Sequence, residues 1–190
     1  GNNNAALPPA DFDLGDVLSK ESFFAAADSH KRERFFSTRA VCEADLLKQM
    51  AAYEYDLLVL AGFMRTLTPY FIDHVQTKGA YKIMNIHPAL LPAFPGRNGY
   101  GDTFNYGCKV GGCTVHFVDY GEDSGPIIAQ SAFAIEPDDT LESIKQKGLK
   151  LEWATYTKAL NLFAAGRIQI VDGEPDAAGK SRSIAKITDL

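Results

Sequence analysis

The chain is organised around the segment KIMNIHP at residues 82–88. Its apolar residues indicate a buried strand, and Asn85 and His87, two positions apart, point to the same side of an extended chain. A second strand-like run, CTVHFV at residues 113–118, leads into a turn-rich segment that contains Asp123. An amide, an imidazole and a carboxylate can together polarise a carbonyl group, stabilise an oxyanion and move protons. These three side chains are therefore candidates for a catalytic site.

Each candidate also has a structural explanation when it is considered alone. A histidine at a strand end is commonly a hydrogen-bonded structural group, an asparagine there can hold a loop, and carboxylates in turns are commonly solvated. The three side chains considered together favour a catalytic role. Asn85 and His87 lie at the carboxyl end of a predicted parallel strand, which is where open α/β sheets place their active sites. His116, which alternates with Val115 and Phe117 along its strand, is interpreted as structural.

The residues before this stretch predict an α/β fold. Residues 56–62 read DLLVLAG, a continuous apolar run that is typical of a parallel strand buried on both faces. A short helix is predicted to begin at Pro69, and the order strand, helix, strand implies a right-handed parallel crossover. Residues 21–52 predict a helix that is broken near Asp28, with Ser29 as the cap of its longer part.

The second half of the chain predicts three strands and one long helix. The strands at 114–118 and 127–135 can pair antiparallel, Thr140 caps the helix, and Gly166 ends it. Both ends of the chain lack a clear pattern, and we expect a single domain over residues 1–190. The predicted segments are a loop at 1–20, strands at 114–118, 127–135 and 168–171, a helix at 141–165, and a loosely held tail at 172–190.

Composition excludes several classes of protein. The formal net charge of −5 argues against a nucleic-acid binder, which would be expected to have a basic face. The chain contains no apolar run of the roughly 20 residues that a membrane span needs, and its first residues are unlike a signal peptide. Three cysteines without metal-like spacing are simplest to interpret as reduced thiols of a cytoplasmic protein. We expect neither a membrane partner nor a metal.

The motif NIHP at residues 85–88, combined with DSGP at 123–126, resembles the folate-dependent formyltransferases. The order and spacing of the motifs in this chain resemble those of the superfamily over residues 30–170. Within the superfamily, the run AGFMR at 61–65 resembles the sequence of the phosphoribosylglycinamide (GAR) formyltransferases. The resemblance implies a Rossmann-like open, mostly parallel sheet flanked by helices. The supporting motifs are LAGFMR at 60–65, LLP at 90–92, FPG at 94–96 and TVHFV at 114–118.

The resemblance also implies a reaction and a role for individual residues. The reaction is transfer of the formyl group of 10-formyltetrahydrofolate to the amine of GAR in purine biosynthesis, by a monomer or homodimer. Asn85, His87 and Asp123 would be catalytic, Pro88 would lie beside the glycinamide, and Glu152 would contact the ribose. The folate pocket would be lined by Met64, Arg65, Thr66, Leu67, Val118, Asp119, Tyr120, Gly121 and Glu122.

The chain departs from the family in two places. Family members begin with a strand, a glycine-rich loop whose backbone amides hold the substrate phosphate, and a helix. Residues 1–4, GNNN, have neither an apolar strand before them nor a helix pattern after them, so we expect that first strand and phosphate loop to be missing from this chain. Residues 97–102, RNGYGD, stand where the family often has a histidine, so the loop on the substrate side is expected to differ.

Two other functions remain open at this point. Formyltetrahydrofolate deformylase shares the Asn, His and Asp but uses water as the acceptor, and it has a His-His pair where this chain has His87-Pro88. The transferase is therefore favoured over this hydrolase. A truncated, non-catalytic folate-binding homologue is the second alternative, because the phosphate loop is not found.

Overall fold

Five helices and six strands form the part of the chain that the computed structural model describes, which comprises residues 7–21, 28–77, 79–175, 177, 179 and 181–188. The motif GNNN at residues 1–4 lies outside these residues. The helices are α1 (Leu14–Lys20), α2 (Ser29–Met50), α3 (Pro69–Val75), α4 (Gly99–Asn105) and α5 (Leu141–Ala164). The strands are β1 (Leu58–Leu60), β2 (Ile83–His87), β3 (Val110–Phe117), β4 (Ile127–Ala134), β5 (Ile168–Asp172) and β6 (Ser183–Ile187).

The main sheet has the strand order β1-β2-β3-β4. The pair β1–β2 is parallel, as predicted, but β2–β3 and β3–β4 are antiparallel, so this described sheet is mixed rather than mostly parallel. The connection at residues 88–109 contains only one short helix and leaves the chain at the carboxyl end of β2. Strand β3 therefore begins at that end and runs back along β2, with Thr114 opposite His87 and His116 opposite Asn85.

Strand β1 is less buried than its apolar sequence predicts. Leu60 is buried, but Val59 is 43% exposed, so the prediction of burial on both faces is wrong for this strand. Within the described residues β1 pairs with β2 alone, and its other edge is open. An open edge leaves room for another strand, but the expected absence of the family's first strand stays a prediction.

The helix starts follow from local hydrogen bonds. Residues 14–20 form α1 rather than the predicted loop, and the carboxylate of Asp13 accepts hydrogen bonds from the backbone N–H groups of Gly15 and Asp16. Helix α2 begins at Ser29, but Asp28 rather than Ser29 is its N-cap. A seven-residue helix that buries only Val17 shows too little apolar periodicity for a prediction from sequence.

Helix α5 confirms the prediction for residues 141–165. Thr140 and Ser143 form a reciprocal capping box at its start, and Gly166 follows its end with a φ of 65°. Its buried face packs against the sheet, where the hydroxyl group of Tyr156 lies 2.8 Å from the carbonyl oxygens of both Leu60 and Met84. This contact ties the helix to the last residue of β1 and to the second residue of β2.

The tail predicted at residues 172–190 contains a strand. Strand β6 pairs antiparallel with β5, and Ile184 lies opposite Val171. The residues between the two strands are polar or small, so the sequence pattern does not indicate this pairing. None of the described helices is long and apolar enough to cross a membrane.

The hydroxyl group of Tyr156 should contribute measurably to stability. Tyr156→Phe leaves the ring in place but removes the one hydroxyl proton that two buried carbonyl oxygens share, so the free energy of unfolding should fall by about 1–2 kcal/mol. Urea unfolding measures this change. Tyr106→Phe is the matched control, because Tyr106 is 81% exposed. Equal stabilities of the two variants would contradict the role of Tyr156.

Candidate active site

An open cleft lies at the carboxyl ends of β1 and β2. Its empty volume, including the part open to solvent, is about 830 Å³. The predicted catalytic residues Asn85, His87 and Asp123 all line it, and so does Pro88. Of the predicted folate-binding residues, the cleft is lined by Met64, Arg65, Thr66, Leu67, Val118, Asp119, Gly121 and Glu122.

His87 is held at both of its ring nitrogens. Nε2 lies 2.7 Å from the backbone carbonyl oxygen of Phe94, and Nδ1 lies 3.1 Å from Oδ2 of Asp123. The side chain is only 3% exposed, so its orientation is fixed from inside the protein. Both neighbouring atoms are hydrogen-bond acceptors, so the imidazolium form can donate to both of them at once.

Asp123 reaches His87 from an unusual backbone conformation. Its φ of 47° lies in the left-handed region, which aspartate tolerates better than most residues. The turn closes tightly two residues later, where an added Cβ at Gly125 would lie 1.9 Å from the carbonyl oxygen of Phe117. The N–H of Gly96 donates to Oδ2 of Asp123 at 2.7 Å. The carboxylate therefore joins the loop after β2 to the loop after β3.

Asn85 presents a polar atom that the described residues leave without a partner. Its Oδ1 is buried and has no hydrogen bond among them. A buried acceptor of this kind costs free energy unless a donor reaches it. The side chain lines the cleft beside His87, so a ligand that carries N–H groups would fit this position.

His116 belongs to the cleft as well, although the sequence indicated only a strand residue. Its Nε2 lies 3.6 Å from Oδ1 of Asp123, and its Nδ1 lies 2.8 Å from the carbonyl oxygen of Phe117. The side chain is 2% exposed. Burial lowers the pKa of His116 below its ordinary value of 6.5, while the carboxylate of Asp123 opposes this shift and the nearby His87 adds to it. Asp123 thus stands between two imidazole rings.

Two predicted binding residues do not line the cleft. The hydroxyl group of Tyr120 donates to Asp73 of α3 at 2.5 Å, and the ring packs against the apolar core. Glu152 lies on α5, where its Oε1 accepts a hydrogen bond of 2.7 Å from the hydroxyl group of Tyr100. The roles of both residues in binding stay predictions.

Two residues that contact the predicted catalytic side chains were not found from the sequence. Phe94 offers its backbone carbonyl to His87 and Gly96 donates its backbone N–H to Asp123, and a backbone group leaves no trace in the side-chain pattern. The signal that was available is the density of proline and glycine at residues 92–96, which indicates a loop able to approach the site closely. In the described part of the chain, no group of three or more His, Cys, Asp or Glu side chains is arranged to hold a metal ion.

Comparison with known proteins identifies the family of the chain. The family model described as formyl transferase matches residues 11–160, which is most of the sequence. The chain belongs to the formyl transferase family. It is 40% identical over 157 residues to the phosphoribosylglycinamide formyltransferase of Bacillus subtilis, and the match covers 83% of this chain and 78% of that protein.

Solved structures of the family show the same fold. The glycinamide ribonucleotide transformylase 1 of Symbiobacterium toebii superposes with a TM-score of 0.67 and 38% identity. This match covers 77% of the present chain but only 63% of the other, so the chain spans less than two thirds of that relative. The α/β fold with helices flanking the sheet, predicted from the resemblance, is thereby confirmed.

A solved deformylase is equally similar in fold but less similar in sequence. The formyltetrahydrofolate deformylase of Pseudomonas syringae also has a TM-score of 0.67, with 25% identity, and the match covers 45% of its chain. The backbone alone therefore does not separate a transferase from a deformylase. Sequence identity and the His87-Pro88 pair both favour the transferase branch of the family.

The buried ring of His116 should make the fold less stable in acid. The unfolded chain takes up a proton at His116 near pH 6.5, whereas the folded protein takes it up only at a lower pH. This contribution to stability is therefore complete above pH 6.5 and is lost as the pH falls through the lowered pKa of the folded state.

His116→Gln should weaken the pH dependence of the free energy of unfolding. Urea unfolding at a series of pH values measures this change. His30→Gln is the control, because the side chain of His30 is 93% exposed. A pH dependence of unfolding that is the same in His116→Gln and in the wild type would contradict the assignment.

Proposed function

We propose that this chain transfers the formyl group of 10-formyltetrahydrofolate to the amine of GAR, a step of purine biosynthesis. The observation that carries this proposal is the contact between His87 and Asp123 at 3.1 Å, beside Asn85, in a cleft lined by the predicted folate-binding loops. The similarity to the Bacillus subtilis phosphoribosylglycinamide formyltransferase adds support. Its partners would then be these two small molecules, in the cytoplasm.

The chemistry requires stabilisation of an oxyanion. The amine of GAR attacks the formyl carbon, a new C–N bond forms, and the carbonyl oxygen becomes negatively charged. The side-chain amide of Asn85 and the imidazolium of His87 can both donate hydrogen bonds to this oxygen. His87 can do so from Nε2, once the oxyanion replaces the carbonyl of Phe94 as the acceptor.

The second half of the reaction requires movement of a proton. The attacking nitrogen loses a proton, the bond from the formyl carbon to N10 of the folate breaks, and N10 gains a proton. Asp123 is placed to support this exchange, because its carboxylate lies beside His87 and borders the open cleft. The carboxylate can accept a hydrogen bond from the imidazole of His87 and can accept the proton of the amine through a water molecule.

Contacts of α4 with α5 and with the loop after β2 support Glu152 as the residue that binds the GAR ribose. An added Cβ at Gly99 would lie 2.5 Å from the carbonyl oxygen of Pro88, so the start of α4 is packed against the predicted glycinamide position. The hydroxyl group of Tyr100, the next residue, donates a hydrogen bond to Oε1 of Glu152. The other carboxylate oxygen of Glu152, Oε2, would accept a hydrogen bond from a ribose hydroxyl group.

The first test is steady-state turnover with 10-formyltetrahydrofolate, measured with and without GAR. Release of tetrahydrofolate that depends on GAR supports the transferase. Release of formate without GAR would instead identify a deformylase. Binding of folate without either product would identify a non-catalytic homologue.

Removal of the imidazole should greatly slow the formyl transfer but should not affect folate binding. His87→Ala should lower kcat by about 10²–10³-fold, because one donor to the oxyanion is lost. Isothermal titration with tetrahydrofolate should show nearly unchanged affinity. His30→Ala is the matched surface control, and near-normal turnover by His87→Ala would contradict the assignment.

Glu152 should affect GAR rather than folate. Glu152→Ala should raise the KM for GAR by about tenfold, the loss expected from one charge-assisted hydrogen bond, while the KM for 10-formyltetrahydrofolate stays constant. Initial-rate kinetics with each substrate varied in turn measure both constants. Glu142→Ala, an exposed carboxylate in the first turn of the same helix, is the control. Equal changes of the two constants would reject the role in ribose binding.

A further inference from the structure

The loop that forms the folate side of the cleft is held from behind by two charged residues of α2. Arg39 and Glu43 lie one helical turn apart, and neither of them lines the cleft. Nη2 of Arg39 donates to the carbonyl oxygen of Thr66 at 2.5 Å. Oε1 of Glu43 accepts a hydrogen bond of 3.0 Å from the N–H of Thr68, and its Oε2 accepts one from the Thr68 hydroxyl group.

The contacts of Glu43 with Thr68 are buried, and the contact of Arg39 with Thr66 is partly buried. Glu43 is 4% exposed and Thr68 is fully buried. Burial raises the pKa of the Glu43 carboxyl group, whereas the hydrogen bonds from Thr68 and the charge of Arg39 oppose this shift. A carboxyl group in such a place destabilises the protein unless hydrogen bonds compensate for its lost hydration. We therefore assign Glu43 a role in orienting its hydrogen-bond partners rather than in stabilising the fold.

The geometry concerns the backbone on either side of Leu67. Leu67 is anchored in the apolar core, which fixes the depth of the loop but not the orientation of its peptide groups. The bonds to the carbonyl of Thr66 and to the N–H of Thr68 fix that orientation on both sides. Thr68 is also the N-cap of α3, since its hydroxyl oxygen accepts from the N–H of Phe71 at 3.5 Å. One carboxylate therefore sets both the end of the loop and the start of the next helix.

We propose that Arg39 and Glu43 are positioning residues for the folate co-substrate, which act through the backbone of residues 66–68. This inference rests on the proposed function for the identity of the ligand. The residues that they orient, Met64, Arg65 and Thr66, are wall residues of the cleft. Among the described residues, the hydrogen bonds of this pair go to Thr66 and Thr68 and not to the wall that carries Glu122 and Asp123, so GAR binding and proton transfer should not depend on the pair.

The proposal predicts a selective effect on one substrate. Glu43→Ala and Arg39→Ala should each raise the KM for 10-formyltetrahydrofolate by about tenfold, because small displacements of positioning groups carry large costs. The KM for GAR should remain constant. Glu43→Gln retains a side-chain oxygen that can accept from the N–H of Thr68, so it should recover most of the lost affinity.

A matched control separates positioning from general stability. Glu21, which is 8% exposed, pairs with Arg32 of the same helix α2 and lies outside the cleft. Glu21→Ala should lower the midpoint of urea unfolding but leave both KM values unchanged. If Glu43→Ala likewise lost stability without a selective rise in the KM for folate, the proposal would be overturned.

Hydrogen–deuterium exchange provides a readout that is independent of the ligand. Exchange of the peptide that covers residues 62–68 should increase in Glu43→Ala and Arg39→Ala but not in Glu21→Ala. If the wild-type chain neither bound tetrahydrofolate nor transferred a formyl group, the proposed function would fail, while this exchange pattern would still decide whether the pair orients the loop. Unchanged exchange in both variants would refute the positioning role.

Discussion

The structure depends on the pairing of β2 along both of its edges. Parallel bonds to β1 and antiparallel bonds to β3 hold the backbone of residues 83–87. The side chains at its carboxyl end therefore have little freedom, and the antiparallel register places His116 opposite Asn85. A reaction that needs several donors around one atom requires this rigidity, since a preorganised site does not have to reorient its groups during the reaction.

The sequence predicts those parts of the molecule that short-range patterns determine. The apolar run before Asn85, the spacing of Asn85 and His87, and the cap at Thr140 each specify a local structure without reference to distant residues. The three proposed catalytic side chains do meet in one cleft, as the conjunction of their positions predicted. The family resemblance covers the same motifs and is confirmed by the match over residues 11–160.

The parts that the sequence does not predict are those that arise from contacts across the fold. The antiparallel direction of β3 depends on the path of residues 88–109, and the pairing of β6 with β5 depends on the long connection between them. His116 alternates with apolar neighbours like any strand residue, so its approach to Asp123 becomes evident only when the turn is closed. The hydrogen bond from the N–H of Thr68 to Glu43 of α2 joins residues that are 25 positions apart.

The left-handed backbone of Asp123 has a consequence for sequence variation at this position. A substitution here changes two quantities at once, the charge beside His87 and the strain of a positive φ. Asparagine tolerates this conformation as well as aspartate does, whereas β-branched residues do not. A library of variants should therefore yield folded protein with Asn or Gly at position 123 far more readily than with Val or Thr, regardless of catalysis.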